Sequence, residues 1–276
     1  MEMMQRLRDR ITAKALPLQD ECEGFGADGE DVIYRLLRHE FDHVIRSVVI
    51  PHKGKYLEKD LLVIHHGVPV VIEIKHWKGK IGCDPSGEGF YQEKANGTRK
   101  SQKSPVGTTK QFIREMKDFY GIGRYVVGMT VFSEPDCQLD LPEEIDGIRL
   151  VHGEQAVRAI HAAVREHQKD REVLDPSRFL HCVRLYSNKS EFCKGVLANE
   201  ELKLYAIDGA PILVDPDYLQ YVRIDPQPMR LRDRLTVVYT NGATDEFYNR
   251  NETLSLFCLD GTCKRVAISK LRHILF

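Results

Sequence analysis

The segment Asp60-Leu-Leu-Val-Ile-His-His-Gly-Val-Pro-Val-Val-Ile-Glu-Ile-Lys75 constrains the fold of this chain more than any other. Two apolar runs flank the turn signal His66-Gly67, which predicts two antiparallel strands joined by a tight loop. A two-residue loop pairs His65 with Val68 and Ile64 with Pro69. Carried to the strand ends, that register sets Asp60 opposite Glu73, with Cβ atoms about 4.5–5.5 Å apart. Lys75 lies two residues past Glu73 and shares its face. Leu62, Ile64 and Val71 then lie on one face, and Leu61, Val63, Val70 and Ile72 on the other. Both faces are apolar, as in central strands covered on both sides. Pro69 removes one ladder donor, which predicts a frayed strand end or an edge at that point.

Like charges directly opposite each other in a sheet are unfavourable. A divalent cation is the usual group that offsets such a carboxylate pair. Two carboxylates at one point make a hard, oxygen-rich site suited to magnesium or manganese, completed by waters and substrate phosphates. A lysine beside them can orient a water and offset charge on a phosphate. The triplet Asp60, Glu73 and Lys75 therefore points to metal-assisted hydrolysis of a phosphodiester. The plainer reading, a surface Glu–Lys pair at an exposed hairpin end, fits poorly with strands that are apolar on both faces.

The flanking sequence supplies further elements. Asp28 or Gly29 caps a helix whose apolar positions are Val32, Ile33, Leu36, Leu37 and Phe41. Glu30 falls on the buried side of that helix, either as an acid favoured at a helix N-terminus or as a third carboxylate for the site. A strand is expected over 44–50 and a connection over 51–59. Short strands over 80–83 and 90–93 precede the turn Asn96-Gly97. A helix is expected from Thr108 or Thr109 to Tyr120, opened by Gln111, which caps it, faces solvent or supports the triplet. Strands over 125–132 and 148–151 and a helix over 154–167 follow.

At this point the residues carry a resemblance. The run Glu73-Ile-Lys75-His-Trp77-Lys-Gly79-Lys-Ile81 resembles the signature of the nuclease-related domain, NERD, within the PD-(D/E)xK nuclease superfamily. Gly26-Ala-Asp-Gly29-Glu30 is similar to that domain's opening motif. Asn96-Gly97, Lys103-Ser104-Pro105 and Gln111 resemble its later segments, with Pro69 and Thr108-Thr109 as departures. The resemblance spans about 24–168. It implies a mixed α/β fold, a restriction-endonuclease-like sheet flanked by helices. It also implies metal-dependent DNA cleavage in a bacterial or phage-related processing or defence setting. Asp60 and Glu73 would ligate Mg2+ or Mn2+, helped by the Ile74 carbonyl and Glu30. Lys75 would act on the water, and Gln111 would hold substrate. The rival reading is a non-cleaving nucleic-acid-binding or scaffolding subunit, and a third keeps the chemistry with RNA as substrate.

Charge distribution bears on the partner. The net charge is −1, yet 94–117 carries seven basic residues against Glu115 alone. Lys78 and Lys80 lie just before it. Lys78, Lys80, Arg99, Lys100, Lys103 and Lys110 are therefore the expected phosphate-binding rim, the bland alternative being a solvated face. No Gly-rich phosphate loop or Walker motif is present, so any helicase or ATPase partner would be a separate chain. Association as a homo-oligomer is left open.

Seven cysteines without a CxxC pair argue against both a zinc site and a disulfide scaffold. His65, His66 and His76 read as loop or surface histidines rather than zinc ligands. The first residues lack an apolar signal core, and no run approaches a membrane span, so the cytoplasm is the expected compartment and no membrane is expected.

The organisation expected is a helical segment over 1–23, an α/β domain over 24–170, and a small β-rich domain over 176–276 after a charged joint with Asp175-Pro176. The last region balances 14 basic against 12 acidic residues and so offers no electrostatic footprint. Its strands are expected over 202–207, 211–214, 218–224, 234–239, 254–259 and 264–268. The turn at Asp260-Gly261 would set Cys258 opposite Cys263.

Overall fold

A computed structural model describes residues 28–84, 87, 89–94, 96–167, 174–187, 190–197, 202–205, 211–214, 219–225, 233–239, 243–248 and 253–276. The helical segment expected over 1–23 lies outside the described residues. The chain divides into two compact units, one running to His181 and one beginning at Cys182. No helix among the described residues is long and apolar enough to cross a membrane.

The first unit is a mixed α/β layer structure. Helix α1 (Asp28–Glu40) leads into β1 (His43–His52), β2 (Lys55–His65) and β3 (Val68–Lys75). Strands β4 (Lys80–Cys83), β5 (Gly89–Glu93) and β6 (Arg99–Lys103) precede helix α2 (Pro105–Tyr120). Then come β7 (Val127–Phe132), β8 (Gln138–Asp140), β9 (Glu144–Ile145), β10 (Ile148–His152) and helix α3 (Ala156–His167). The main sheet has the order β1-β2-β3-β7-β10-β9, and a second has the order β6-β5-β4-β8. Strands β3, β7 and β10 run parallel, and the β1–β2–β3 hairpins antiparallel.

Helices cover both faces of the main sheet. Ile33 and Leu37 of α1, with Phe41 just beyond its end, pack with Ile160 and Val164 of α3 against Leu61, Val63, Val70 and Ile72. Phe112, Met116 and Tyr120 of α2 pack against Leu62, Ile64 and Val71 on the opposite face. The two apolar faces of the hairpin thus serve two separate cores. Val32 (55% exposed) and Leu36 (40%) face outward, so the buried stripe of α1 is narrower than its apolar sequence implies.

The hairpin register is the expected one: His65 pairs Val68, Ile64 pairs Pro69, and the ladder reaches Leu61 opposite Ile72. His66 and Gly67 have φ of 48° and 75°, both positive as a type I′ loop requires. Pro69 sits on a central strand rather than an edge. Its missing N–H causes no gap, because the parallel ladder to β7 begins only at Val70.

The expected connection over 51–59 is instead a second hairpin, turning at Lys53 and Gly54 with φ of 50° and 75°. Helix α2 begins at Pro105, earlier than expected. Ser104 is its N-cap and proline, with no N–H to leave unpaired, suits the first helical position. Gly121 ends it in the left-handed conformation, its N–H bonded to the Lys117 carbonyl.

Among its described residues the second unit forms a ten-stranded sheet. Its strands are β11 (Val183–Ser187), β12 (Ser190–Leu197), β13 (Leu202–Tyr205), β14 (Pro211–Val214) and β15 (Leu219–Asp225). They continue with β16 (Arg234–Tyr239), β17 (Thr244–Tyr248), β18 (Thr253–Cys258), β19 (Cys263–Ala267) and β20 (His273–Leu275). The order is β14-β13-β17-β16-β15-β20-β11-β12-β18-β19. Strands β11, β12, β17 and β20 were not expected from the sequence. The expected pairing of Cys258 with Cys263 is off by one: Phe257 is opposite Cys263, and Cys258 N–H bonds the Thr262 carbonyl. Cys258 is buried and Cys263 exposed, while the Cys193 sulfur lies 3.4 Å from that of Cys258.

Candidate active site

A kink across β1 and β2 builds the site. Ser47 is buried with φ of 48°, a conformation uncommon for a residue with a side chain. The β1–β2 ladder pairs Arg46 with Leu61 and Val48 with Lys59, and it skips Ser47 and Asp60 between them. Alternation breaks at that point. Ile45 and Val48 both pack in the α2-side core, although strict alternation would put them on opposite faces. On β2, Leu57 joins the same core as Leu62 and Ile64. Lys59 is thereby turned toward α2, and Asp60 sits at the crossover.

The consequence is a concentration of charge. Lys59, only 4% exposed, donates to Glu73 Oε2 at 2.5 Å and to Thr108 Oγ1 at 3.3 Å. Lys75 donates to Glu73 Oε1. Asp60 Oδ2 accepts the Ile74 N–H at 2.6 Å, which sets it beside Glu73 at the end of the hairpin, although the ladder ends at Leu61–Ile72 and does not pair the two acids. Lysine is among the residues least often buried, and it is buried only when paired. Removing one member of a buried ion pair costs about 3–5 kcal/mol.

The two carboxyls titrate in opposite directions. Burial, the charge of Glu73 and then that of Glu30 push Asp60 up to about 7, against the Ile74 N–H and Lys75, which favour its ionised form. Burial would also raise Glu73, but Lys59 and Lys75 outweigh it and hold this carboxyl below its usual range. Two adjacent acids held apart in this way are the pattern expected of a reactive or ion-binding centre.

These groups line a cleft of about 540 Å³, walled by Trp77, Lys103 and the first turns of α2 with Thr108 and Gln111. Trp77 is packed on Phe132 and Phe90, with ring centroids 5.8 and 6.5 Å away. Asp60, Glu73, Lys75 and Gln111, singled out from the sequence, thus share one cleft. Glu30 acts on Asp60 electrostatically from α1, although its side chain does not line the cleft. Lys59, Thr108 and Trp77 complete the site. Sequence reasoning assigned no role to the first two, and the kink that turns Lys59 inward has only Ser47, polar within an apolar strand, as its signal.

The basic rim divides. Lys103 lines the cleft. Lys80 pairs with Asp140 at 2.8 Å, Arg99 with Glu93 at 2.6 Å and Lys110 with Asp146 at 2.8 Å. Lys78 lies 3.9 Å from Glu134, and Lys100 is exposed on edge strand β6. The positive charge of this segment is therefore partly neutralised by acids distant in sequence. His76 contacts Glu134 at 2.8 Å and Ser133 Oγ at 3.1 Å. His65 is half-buried against Phe41, with rings 4.9 Å apart. No group of three or more His, Cys, Asp or Glu residues able to hold a metal ion is found among the described residues.

No curated protein matches this chain. The family model described as the nuclease-related domain matches residues 25–133, from just before α1 through β7, and stops short of β10 and α3. That matched segment, less than half of the chain, is similar to the nuclease-related domain and holds Glu30, Asp60, Glu73, Lys75 and Gln111 together.

Proposed function

We propose that this chain is a metal-dependent nuclease that hydrolyses DNA phosphodiester bonds in the cleft at the end of the β2–β3 hairpin. The observation that carries the proposal is the meeting of Asp60 and Glu73 beside Lys75 in one cleft. Burial and neighbouring carboxylates there push one acid up to about 7. That repulsion is the kind a hard cation relieves.

The donor set fits such an ion. Asp60, Glu73 and the Ile74 carbonyl, with Glu30 behind them, offer oxygens only. Two carboxylates suit an ion that keeps several waters and takes the rest of its ligands from phosphate, rather than one enclosed by protein. When bound, Mg2+ or Mn2+ would supply Lewis acidity and a polarised water. The chain's own residues do the remainder. Lys75 holds Glu73 and offsets negative charge at the reacting phosphate. Lys103 and the N-terminal turn of α2, which carries no acid, favour the substrate backbone. Gln111 contacts substrate from the cleft wall. RNA is the alternative substrate, and a bacterial or phage-related setting with a separate helicase or ATPase belongs to the same proposal.

The test is cleavage of plasmid, linear duplex, single-stranded DNA and RNA in Mg2+, Mn2+ or EDTA. Cut DNA in either metal and intact DNA in EDTA is the expected result. Cleavage in excess EDTA overturns the metal reading, and binding without cleavage in every metal favours the non-cleaving subunit.

A further inference from the structure

Lys59 lines this cleft, and the proposed reaction leaves its ammonium without a role. It lies one residue before Asp60 and is turned toward α2 by the break in alternation at Ser47 and Asp60. Its ammonium bridges two elements, bonding Glu73 Oε2 on β3 at 2.5 Å and Thr108 Oγ1 on α2 at 3.3 Å. Thr108 Oγ1 in turn donates to the Pro105 carbonyl at 3.0 Å, inside the first turn of α2. Glu73 is thus held at both oxygens, by Lys75 at Oε1 and by Lys59 at Oε2.

The two lysines are not equivalent. The Lys75 side chain is 26% exposed against 4% for Lys59, so Lys75 has the freer access to solvent and substrate. A buried ammonium fixed on a carboxylate and a helix hydroxyl is placed to orient its partner. We infer that Lys59 is a positioning residue that acts through Glu73, fixing the rotamer of that carboxylate and tying it to the helix turn at the cleft wall. This inference rests on the nuclease reading of the same site.

Two consequences have opposite signs. Fixing Glu73 raises the rate, since a misplacement of about 1 Å in a reacting site can cost about 100-fold. The positive charge of Lys59 beside the carboxylates also opposes a divalent cation, so it weakens metal binding. A residue that only stabilised the fold would not separate these effects.

The experiment uses the full chain and compares Lys59→Met, Lys59→Arg and Thr108→Val with the parent. Mn2+ binding is measured by calorimetry without nucleic acid, and single-turnover DNA cleavage is measured at saturating Mn2+. For Lys59→Met the expected result is Mn2+ binding about tenfold tighter, with cleavage slowed about 10- to 100-fold. Lys59→Arg should recover most of the rate. A Lys59→Met protein that cleaves at the parent rate overturns the inference. So does one that loses rate and Mn2+ affinity together without rescue by arginine.

If Lys59→Met does not fold, Thr108→Val decides. It keeps the ion pair and removes the tether, and it should slow cleavage about threefold at unchanged Mn2+ affinity; the parent rate there overturns the inference. If the parent chain cleaves nothing, the nuclease reading fails separately. The Mn2+ titration of Lys59→Met, or of Lys59→Gln if methionine is not tolerated, still reports on Lys59. Tighter binding by the neutral variant supports the place of Lys59 against Glu73, and unchanged affinity refutes it.

Discussion

Buried charge is handled differently in the two units. In the first, Lys59, Lys75 and Asp60 converge on Glu73 at the mouth of a cleft. In the second, buried charges are distributed along a sheet. Arg223 pairs with Asp225 at 3.4 Å on β15, Arg234 pairs with Glu246 across β16 and β17, and His273 lies on β20. Burial, Arg223 and Arg272 hold His273 down to about 4, whereas burial and neighbouring acids push Asp60 up to about 7. The same desolvation therefore disfavours the charged form of a base in one unit and of an acid in the other. Convergence beside open space suits ligand chemistry, and dispersal along strands suits architecture.

The largest expected effect that probes this contrast lies in the cleft. Lys75→Ala should lower single-turnover cleavage by about 10²–10⁴-fold without weakening metal binding, since its role is at the water and the phosphate and its charge opposes the cation. Arg223→Ala in the second unit should leave the rate per folded molecule unchanged. Equal losses in both variants, read by quench-flow, would break the distinction between them.

Separating the units sharpens the same point. The charged stretch before Asp175-Pro176 looked like a joint, yet Leu174 and Phe179 belong to the α2-side core, and the Leu180 N–H bonds the Tyr120 hydroxyl. A chain ending at 181 should therefore fold and retain metal-dependent cleavage, while one ending at 170 should be less stable by about 2–5 kcal/mol for the lost apolar groups. Chemical denaturation followed by the plasmid assay checks both. A folded 1–181 chain inactive on every substrate would make the second unit part of the active site.

The pH dependence should have opposite signs in the two units. Asp60 has a folded pKa near 7 against 3.8 when unfolded, so the folded chain binds more protons between those values. Its contribution to stability is present below 3.8 and is lost as pH rises through 7. Asp60→Asn should therefore stabilise the metal-free chain at pH 8 and not at pH 4. His273 has a folded pKa near 4 against 6.5, so the unfolded chain binds more protons there. Its contribution is present above 6.5 and is lost as pH falls through 4. His273→Gln should flatten that acid limb. Denaturation midpoints from pH 4 to 8 in EDTA test both signs.

The hairpin was legible because turn chemistry and two-residue alternation fix a register over short range. Both faces of Leu61–Ile64 and Val70–Ile72 read correctly for the same reason. What escaped depends on contacts remote in sequence. The kink at Ser47 and Asp60 spans two strands, so nothing local to Lys59 marks it as buried. The acids that pair Lys80 and Lys110 lie at Asp140 and Asp146, which an inventory of neighbouring charges does not reach. In the second unit, β11, β12, β17 and β20 lack a strong alternating pattern, and the sheet around them sets their conformation.

The smallest effect concerns the rim. Lys103→Ala should shallow the log–log salt dependence of DNA binding by roughly 0.7–0.9, one phosphate contact. Lys80→Ala and Lys110→Ala, whose cations are already paired, should change it less. Equal slopes for all three, by fluorescence anisotropy, would return the segment to a solvated face.

The central claim is that Asp60 and Glu73 act as one metal site, and a double-mutant cycle tests it most directly. Single-turnover cleavage in Mg2+ is measured for the parent, Asp60→Asn, Glu73→Gln and the double variant. If both acids serve one ion, each single change removes at least about 10²-fold, and the double variant is little worse than either. Losses that multiply, or either single variant cutting at the parent rate, would contradict a shared site.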